Sequence, residues 1–125
     1  MSKLPPRMYL QALLLCAQLV IGVQTTYAGE IKVVMKDMKR ALQGAMASTT
    51  MPELSRYVAR LESDVDHASR QAYRDDQATY DEGMQKLKQQ LAVVDEAIRA
   101  NDMNEAKQDL RKINVTRKHY HDLLN

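Results

Sequence analysis

The 125-residue sequence lacks most of what would build anything other than helices. It has no Trp and no Phe, a single Cys, three Pro and four Gly, and its 18 Lys and Arg nearly cancel 16 Asp and Glu. One Cys excludes a disulfide framework. Scarce Gly and Pro exclude collagen-like and low-complexity chains, and 27% charged residues exclude a polytopic membrane protein. Past Met35, Val and Ile occur singly and no Gly-containing hairpin dipeptide appears, so no strands are expected. The residues present in quantity, Ala, Leu, Met, Gln, Lys, Arg and Glu, are helix formers. A chain of this length holds one small domain, and an all-α one is expected.

Residues 1–28 read differently from the rest. Lys3 and Arg7 precede an apolar stretch from Met8 to Val23, and Gln24 to Ala28 follow before Gly29. A charged start, a short apolar segment and a small residue at the cut are the parts of a secretory signal peptide ending after about Ala28, with Tyr27 and Thr26 making an imperfect site. A retained membrane anchor is the competing reading, but the stretch carries Gln11 and Gln18 and is short for a span. Lipidation at Cys16 fits less well, because Leu15 stands where a small residue is wanted. Cleavage leaves residues 29–125 as the domain, with 16 basic against 16 acidic side chains. A formally neutral chain gives no support to nucleic-acid binding, whatever the pI near 8.7 of the whole sequence. With Cys16 gone, disulfides, thiol chemistry and thioether attachment of a cofactor all become impossible.

From Glu30 the apolar residues fall into four stripes alternating three and four apart. The first is Ile31, Met35, Met38, Leu42, Ala45; the second Leu54, Val58, Leu61, Val65, Ala68, Ala72; the third Tyr80, Met84, Leu87, Leu91, Val94, Ile98. The fourth runs Met103, Ala106, Leu110, Ile113, then Arg117, Tyr120, Leu124. Such seams belong to helices packed near 20°. Thr50-Met51-Pro52-Glu53 is a capping box with Pro in the first turn, and Asp102-Met103-Asn104-Glu105 is a second helix start. Breaks are expected at Ser48 to Thr50, near Arg74 to Gln77, and at Asn101 to Asp102. Short connections make neighbours antiparallel, so the expected architecture is an up-down-up-down four-helix bundle rather than an isolated hairpin or coiled coil.

Enzyme constellations are thin: no Gly-rich phosphate loop, no Cys nucleophile, no His-x-x-x-His or Glu-x-x-His pair. Most carboxylates read as a solvated surface, and His67, beside Asp64 and Asp66, which diverge on a helix, as a surface histidine. The informative segment is the end of helix 4, Thr116 to Leu124, where Arg117 takes a core position, Tyr120 occupies the seam and His121 follows Arg117 by one turn. One reading has Arg117 snorkelling at the bundle's open end and His121 complementing the helix dipole. Depth opens another. Met35 lies about 7 Å into helix 1 and His121 about 6 Å from the end of helix 4, at 1.5 Å per residue, so antiparallel helices bring both to the same end. A thioether and an imidazole there are the axial pair of a low-spin electron-transfer haem, although Met35 taken alone would be a core methionine.

The chain resembles the soluble periplasmic cytochrome b562 family, itself a standard example of the up-down-up-down bundle. The resemblance covers essentially all of the chain after the leader. Thr116-Arg117-x-x-Tyr120-His121 coincides with the family's ligand segment and implies His121 as axial histidine. Glu30, Ile31, Met35, Met38 and Leu42 reproduce the helix 1 pattern and imply Met35 as the sixth ligand, ahead of Met38 one turn on. Tyr80-Asp81-Glu82-Gly83-Met84 matches the aromatic-rich start of helix 3 through Gly83, with Tyr80 and Met84 where the family typically has two Phe. The stretch between helices 2 and 3 is shorter than usual for the family. Arg117-Lys118-His119-Tyr120-His121 lacks the thiols of Cys-x-x-Cys-His, so any haem is non-covalent haem b. Arg117 is then a counter-charge near a propionate, and His119 faces solvent.

Two functions compete. The leading one is a periplasmic electron carrier and not an enzyme: Met35 and His121 saturate the iron, an unidentified redox protein exchanges the electron, and the closed bundle is by default a monomer. The other is a haem-free periplasmic helical bundle acting as a chaperone or stress-binding module. It has no reason to carry a Met and a His at one bundle end, whereas the replaced Phe positions favour it. A metal site from His67, His119 and His121 fails on geometry within one chain.

Overall fold

The computed structural model describes residues 29–125, and the proposed leader lies outside the described residues. Four helices form a four-helix bundle, with no strand among the described residues: α1 over residues 29–47, α2 Met51–Ser69, α3 Gln77–Arg99 and α4 Met103–Leu124. Each start from α2 onward is capped by a short oxygen-bearing side chain. Thr50 Oγ1 accepts from the Glu53 N–H at 3.3 Å, Asp76 Oδ1 from Thr79 at 3.1 Å and Asp102 Oδ1 from Glu105 at 3.1 Å, each satisfying a donor that the first turn leaves free. The end of α3 is equally defined. Asn101 sits at φ 54°, and the N–H groups of Asn101 and Asp102 donate back to Ile98 O and Ala97 O at 2.9 Å. Asn is among the few non-Gly residues that tolerate this left-handed turn, so the chain reverses there without a glycine.

The core follows the stripes. Met38, Leu42 and Ala45 of α1, Leu54, Val58, Leu61, Val65 and Ala68 of α2, Tyr80, Met84, Leu87, Leu91 and Val94 of α3, and Ala106, Leu110 and Ile113 of α4 form one buried cluster. Ala41 and Ala97 join it because a 3.6-residue helix drifts against a strict heptad, which also leaves Ile98 half-buried. α1 and α2 touch through residues running in opposite sense. Arg60 of α2 hydrogen-bonds the Asp37 carboxylate of α1, while Gly44, later in α1, lies under the ring of Tyr57, earlier in α2. A Cβ on Gly44 would stand 2.4 Å from that ring, so glycine is what allows this approach.

Two expectations need correction. Ala72 is not part of the second stripe: α2 stops at Ser69, and Ala72 is exposed in a connection over residues 70–76 that is longer than the expected Arg74–Gln77 turn. The last turn of α2 tightens there, with Arg70 and Gln71 donating to His67 O and Ala68 O three residues back. Nor do all carboxylates lie on a solvated face. Asp109 is 4% exposed, with Lys112 3.7 Å away. Half-buried Asp64 neighbours the Asp37–Arg60 pair, and half-buried Glu62 neighbours Asp95. Arg60 holds the Asp37 carboxyl well below the usual range, whereas burial and then the partner acid push Asp64 and Glu62 up to about 7. His67 is half-buried and lies 3.5 Å from Gln71 Nε2 through its own Nε2.

Candidate functional site

Toward the C-terminus of α4 the seam opens. Ile113 and Thr116 are buried, Arg117, Tyr120 and Leu124 half-buried, and His121, beside the seam, has 67% of its side chain exposed. The same gradient runs along α1, where Met38 is sealed in the core and Met35, one turn nearer the N-terminus, is half-buried against it. Polar partners become sparse at this margin. His121 Nδ1 stands 3.8 Å from the Asp122 carboxylate, beyond hydrogen-bond range. Arg117 is held by Asn114 Oδ1, 3.2 Å from Nη2 and 3.4 Å from Nε, and because that acceptor is neutral the guanidinium keeps its charge for an anion. His119 is exposed and meets Tyr120 edge-on at 5.2 Å.

Aromatic side chains line this end. Tyr80 is 1% exposed and donates its hydroxyl to Ala68 O, the carbonyl near the end of α2, at 2.6 Å. Burial first, then the charge of Asp81, pushes its hydroxyl up to about 12, so it remains a neutral donor. Gly83 is buried under Tyr120: a Cβ there would lie 2.9 Å from that ring. Burial and the neighbouring Glu82 likewise raise the Tyr120 hydroxyl. Met84 is buried one turn after Tyr80 and shares its cluster.

Of the residues singled out from the sequence, Tyr80, Met84 and Met38 thus meet in the core, Met35 packs on its margin, Tyr120 covers Gly83, and His121 stands outside. One participant escaped sequence reasoning. Tyr73, in the 70–76 connection, stacks on Tyr80 with ring centroids 5.0 Å apart and planes 2° from parallel, and its hydroxyl donates to Leu124 O at 3.1 Å. It lies in no periodic segment, and the only available signal was an aromatic residue inside an otherwise polar connection.

The donor chemistry suits an iron porphyrin better than a bare metal ion. Among the described residues there is no group of three His, Cys, Asp or Glu side chains able to hold a metal. A thioether on the core margin, an imidazole whose ring is open, aromatic and sulfur-bearing walls and an uncompensated guanidinium are what a haem with two propionates would use. The model of the family described as cytochrome b562 matches residues 30–125, most of the chain. No curated protein and no solved structure shows significant similarity to it.

Proposed function

Because the chain belongs to the cytochrome b562 family, whose members hold a non-covalent b-type haem, we propose that it is an exported electron carrier binding one haem b between Met35 and His121. The haem supplies one-electron iron chemistry when bound. The protein supplies the rest. His121 offers an imidazole nitrogen from the last turn of α4, and Met35 a soft thioether that would favour the reduced iron and raise the potential relative to a second histidine. With both residues holding the iron, no coordination site would be left for a substrate, which would separate a carrier from an oxygenase or peroxidase. Arg117, already oriented by Asn114, places its cation for a propionate. Tyr80 and Met84 stand where the family has Phe and can still pack a porphyrin face.

The observation that carries the ligand assignment is the paired burial gradient. Within the first turns of α1, Met35 lies at the core margin while Met38 is consumed by the core, and His121 carries its imidazole on the turn where the α4 seam opens. Export places the protein in the periplasm after cleavage near Ala28. Among the described residues no helix is long and apolar enough to cross a membrane. The partner is a redox protein, and the closed bundle acts as a monomer.

The test is an absorption spectrum of the chain exported with its own leader, oxidised and then reduced with dithionite, for three proteins. Wild type and His119→Ala show sharp, acid-extractable low-spin b-type bands; His121→Ala does not. Equal loss in both variants would place the ligand on the wrong face. A colourless wild type that ignores added haemin would favour the haem-free bundle.

A further inference from the structure

The connection between α2 and α3 contains a residue held more tightly than its position requires. Tyr73 lies in a stretch without regular structure, yet each of its groups is fixed. Its backbone N–H donates to Gln77 Oε1 at 2.7 Å, and the same side chain donates from Nε2 to Asp81 Oδ1 at 2.8 Å. Its ring lies on Tyr80, which is anchored to Ala68 O, and its hydroxyl reaches Leu124 O. The chain of contacts therefore runs from the end of α2 through the start of α3 to the last carbonyl of α4.

The last four carbonyls of a helix have no intrahelical donor, and a terminal turn without outside partners frays. In α4 that turn contains His121, three residues before Leu124 and on the same side of the helix. Asn125 closes one carbonyl of the turn locally, its N–H and Nδ2 donating to His121 O at 3.1 and 2.9 Å. Leu124 packs its side chain on the core, and Tyr73 adds a hydrogen-bonded tie from that residue's carbonyl to the α2–α3 connection.

We propose that Tyr73 is a positioning residue for the haem ligand His121, fastening the last turn of α4 to the α2–α3 connection so that the imidazole is held before haem arrives. This rests on His121 being the ligand. A pre-placed ligand spares the haem the entropy of ordering the turn, so the tie acts on haem retention, not on the electronic character of the iron. Tyr73→Phe keeps the stack and removes only the hydroxyl, which makes it the informative variant; Tyr73→Ala removes both.

Two readouts test it. In the haem-free chain, Tyr73→Phe should speed amide exchange at the residues of the last α4 turn several-fold while leaving the denaturant midpoint nearly unchanged, because terminal turns open before the bundle does. In the haem-loaded protein, release to an excess of apo-globin should quicken about fivefold, the factor one neutral hydrogen bond contributes, with unchanged absorption bands. Tyr73→Ala should exceed both effects. Unchanged release in Tyr73→Phe overturns the proposal, as does release that rises only in step with lost global stability. Failure of the underlying reading looks different: the wild-type chain takes up no haem at all, and the proposal falls with it.

Discussion

The two ends of the bundle are built on different principles. Where α1 meets α2 and α3 meets α4, the chain turns in three residues, each turn is closed by a capping oxygen or a left-handed Asn, and small buried residues such as Ala45, Ser48 and Ala106 let the helices converge. At the other end the connection runs over residues 70–76, the seam is lined by Tyr73, Tyr80 and Tyr120, and exposure rises along α4 from buried Ile113 to exposed His121. One end has its backbone and apolar demands met internally. The other leaves a thioether, an imidazole and a cation under-used, which is how a bundle looks where a ligand completes it. Fold and function are thereby separable along one molecule, and substitutions at the two ends should behave differently.

The largest expected contrast is between His121→Ala and Leu110→Ala. The first should abolish low-spin haem binding while moving the stability of the haem-free chain by no more than about 0.5 kcal/mol, as for an exposed side chain. The second creates a cavity beneath a fully buried leucine and should cost about 2–5 kcal/mol by denaturant titration, lowering haem occupancy only through unfolding. If Leu110→Ala erased the haem spectrum at temperatures where the helices remain intact, the separation would be broken.

Glycines at the two helix contacts sharpen the comparison. Gly44→Ala pushes a methyl to 2.4 Å from the Tyr57 ring and should cost about 1–3 kcal/mol with haem affinity retained in the folded fraction. Gly83→Ala presses on Tyr120, next to His121, so it should weaken haem binding as well as stability. Fluorescence-quench titration with haemin on both variants distinguishes the two outcomes.

The acid pairs predict a pH effect on the stability of the haem-free chain. Asp64 and Glu62 titrate near 7 in the folded chain, above their unfolded values, so the folded state holds extra protons between the usual carboxylate range and about 7. Stability must then fall as pH rises through that window and level off above it. Asp37 works in the opposite direction, its contribution vanishing only at lower pH as its carboxylate is protonated. The groups involved are Asp37, Arg60 and Asp64 for one pair and Glu62 with Asp95 for the other. Melting temperatures of the haem-free chain should be higher at pH 5 than at pH 8, and Glu62→Gln with Asp64→Asn should flatten the dependence. The smallest effect is expected at the capped end, where Thr50→Ala should cost about 1 kcal/mol and leave haem binding untouched.

How much of this was legible in the sequence follows the same division. The stripes of α1, α3 and most of α2 predict the core because helical periodicity is repeated over many turns, and Thr50 and Asp102 announce their helices because capping chemistry is local. Ala72 misled because it continues the spacing one turn past Ser69, where the end of α2 is fixed by contacts from residues not yet met in the chain, Tyr80 among them. The role of Tyr73 is invisible for the same reason: its partners are Tyr80 and Leu124, the second 51 positions away. The paired acids were read as solvated because charge spacing along one helix does not reveal a second helix lying over it. The proposal of His121 and Met35 as ligands rests on residue type and depth, narrowed by their resemblance to a known ligand segment.

The central claim is that the iron is held by Met35 and His121, and the most direct measurement is the proton NMR spectrum of the reduced, haem-loaded protein. The methyl group of a methionine whose sulfur binds the iron would lie over the porphyrin ring and be displaced far upfield by the ring current. One such resonance is predicted for the wild type, persisting in Met38→Leu and absent in Met35→Leu. A resonance that survives Met35→Leu and vanishes in Met38→Leu, or no upfield methyl in a protein that binds haem, would contradict the account.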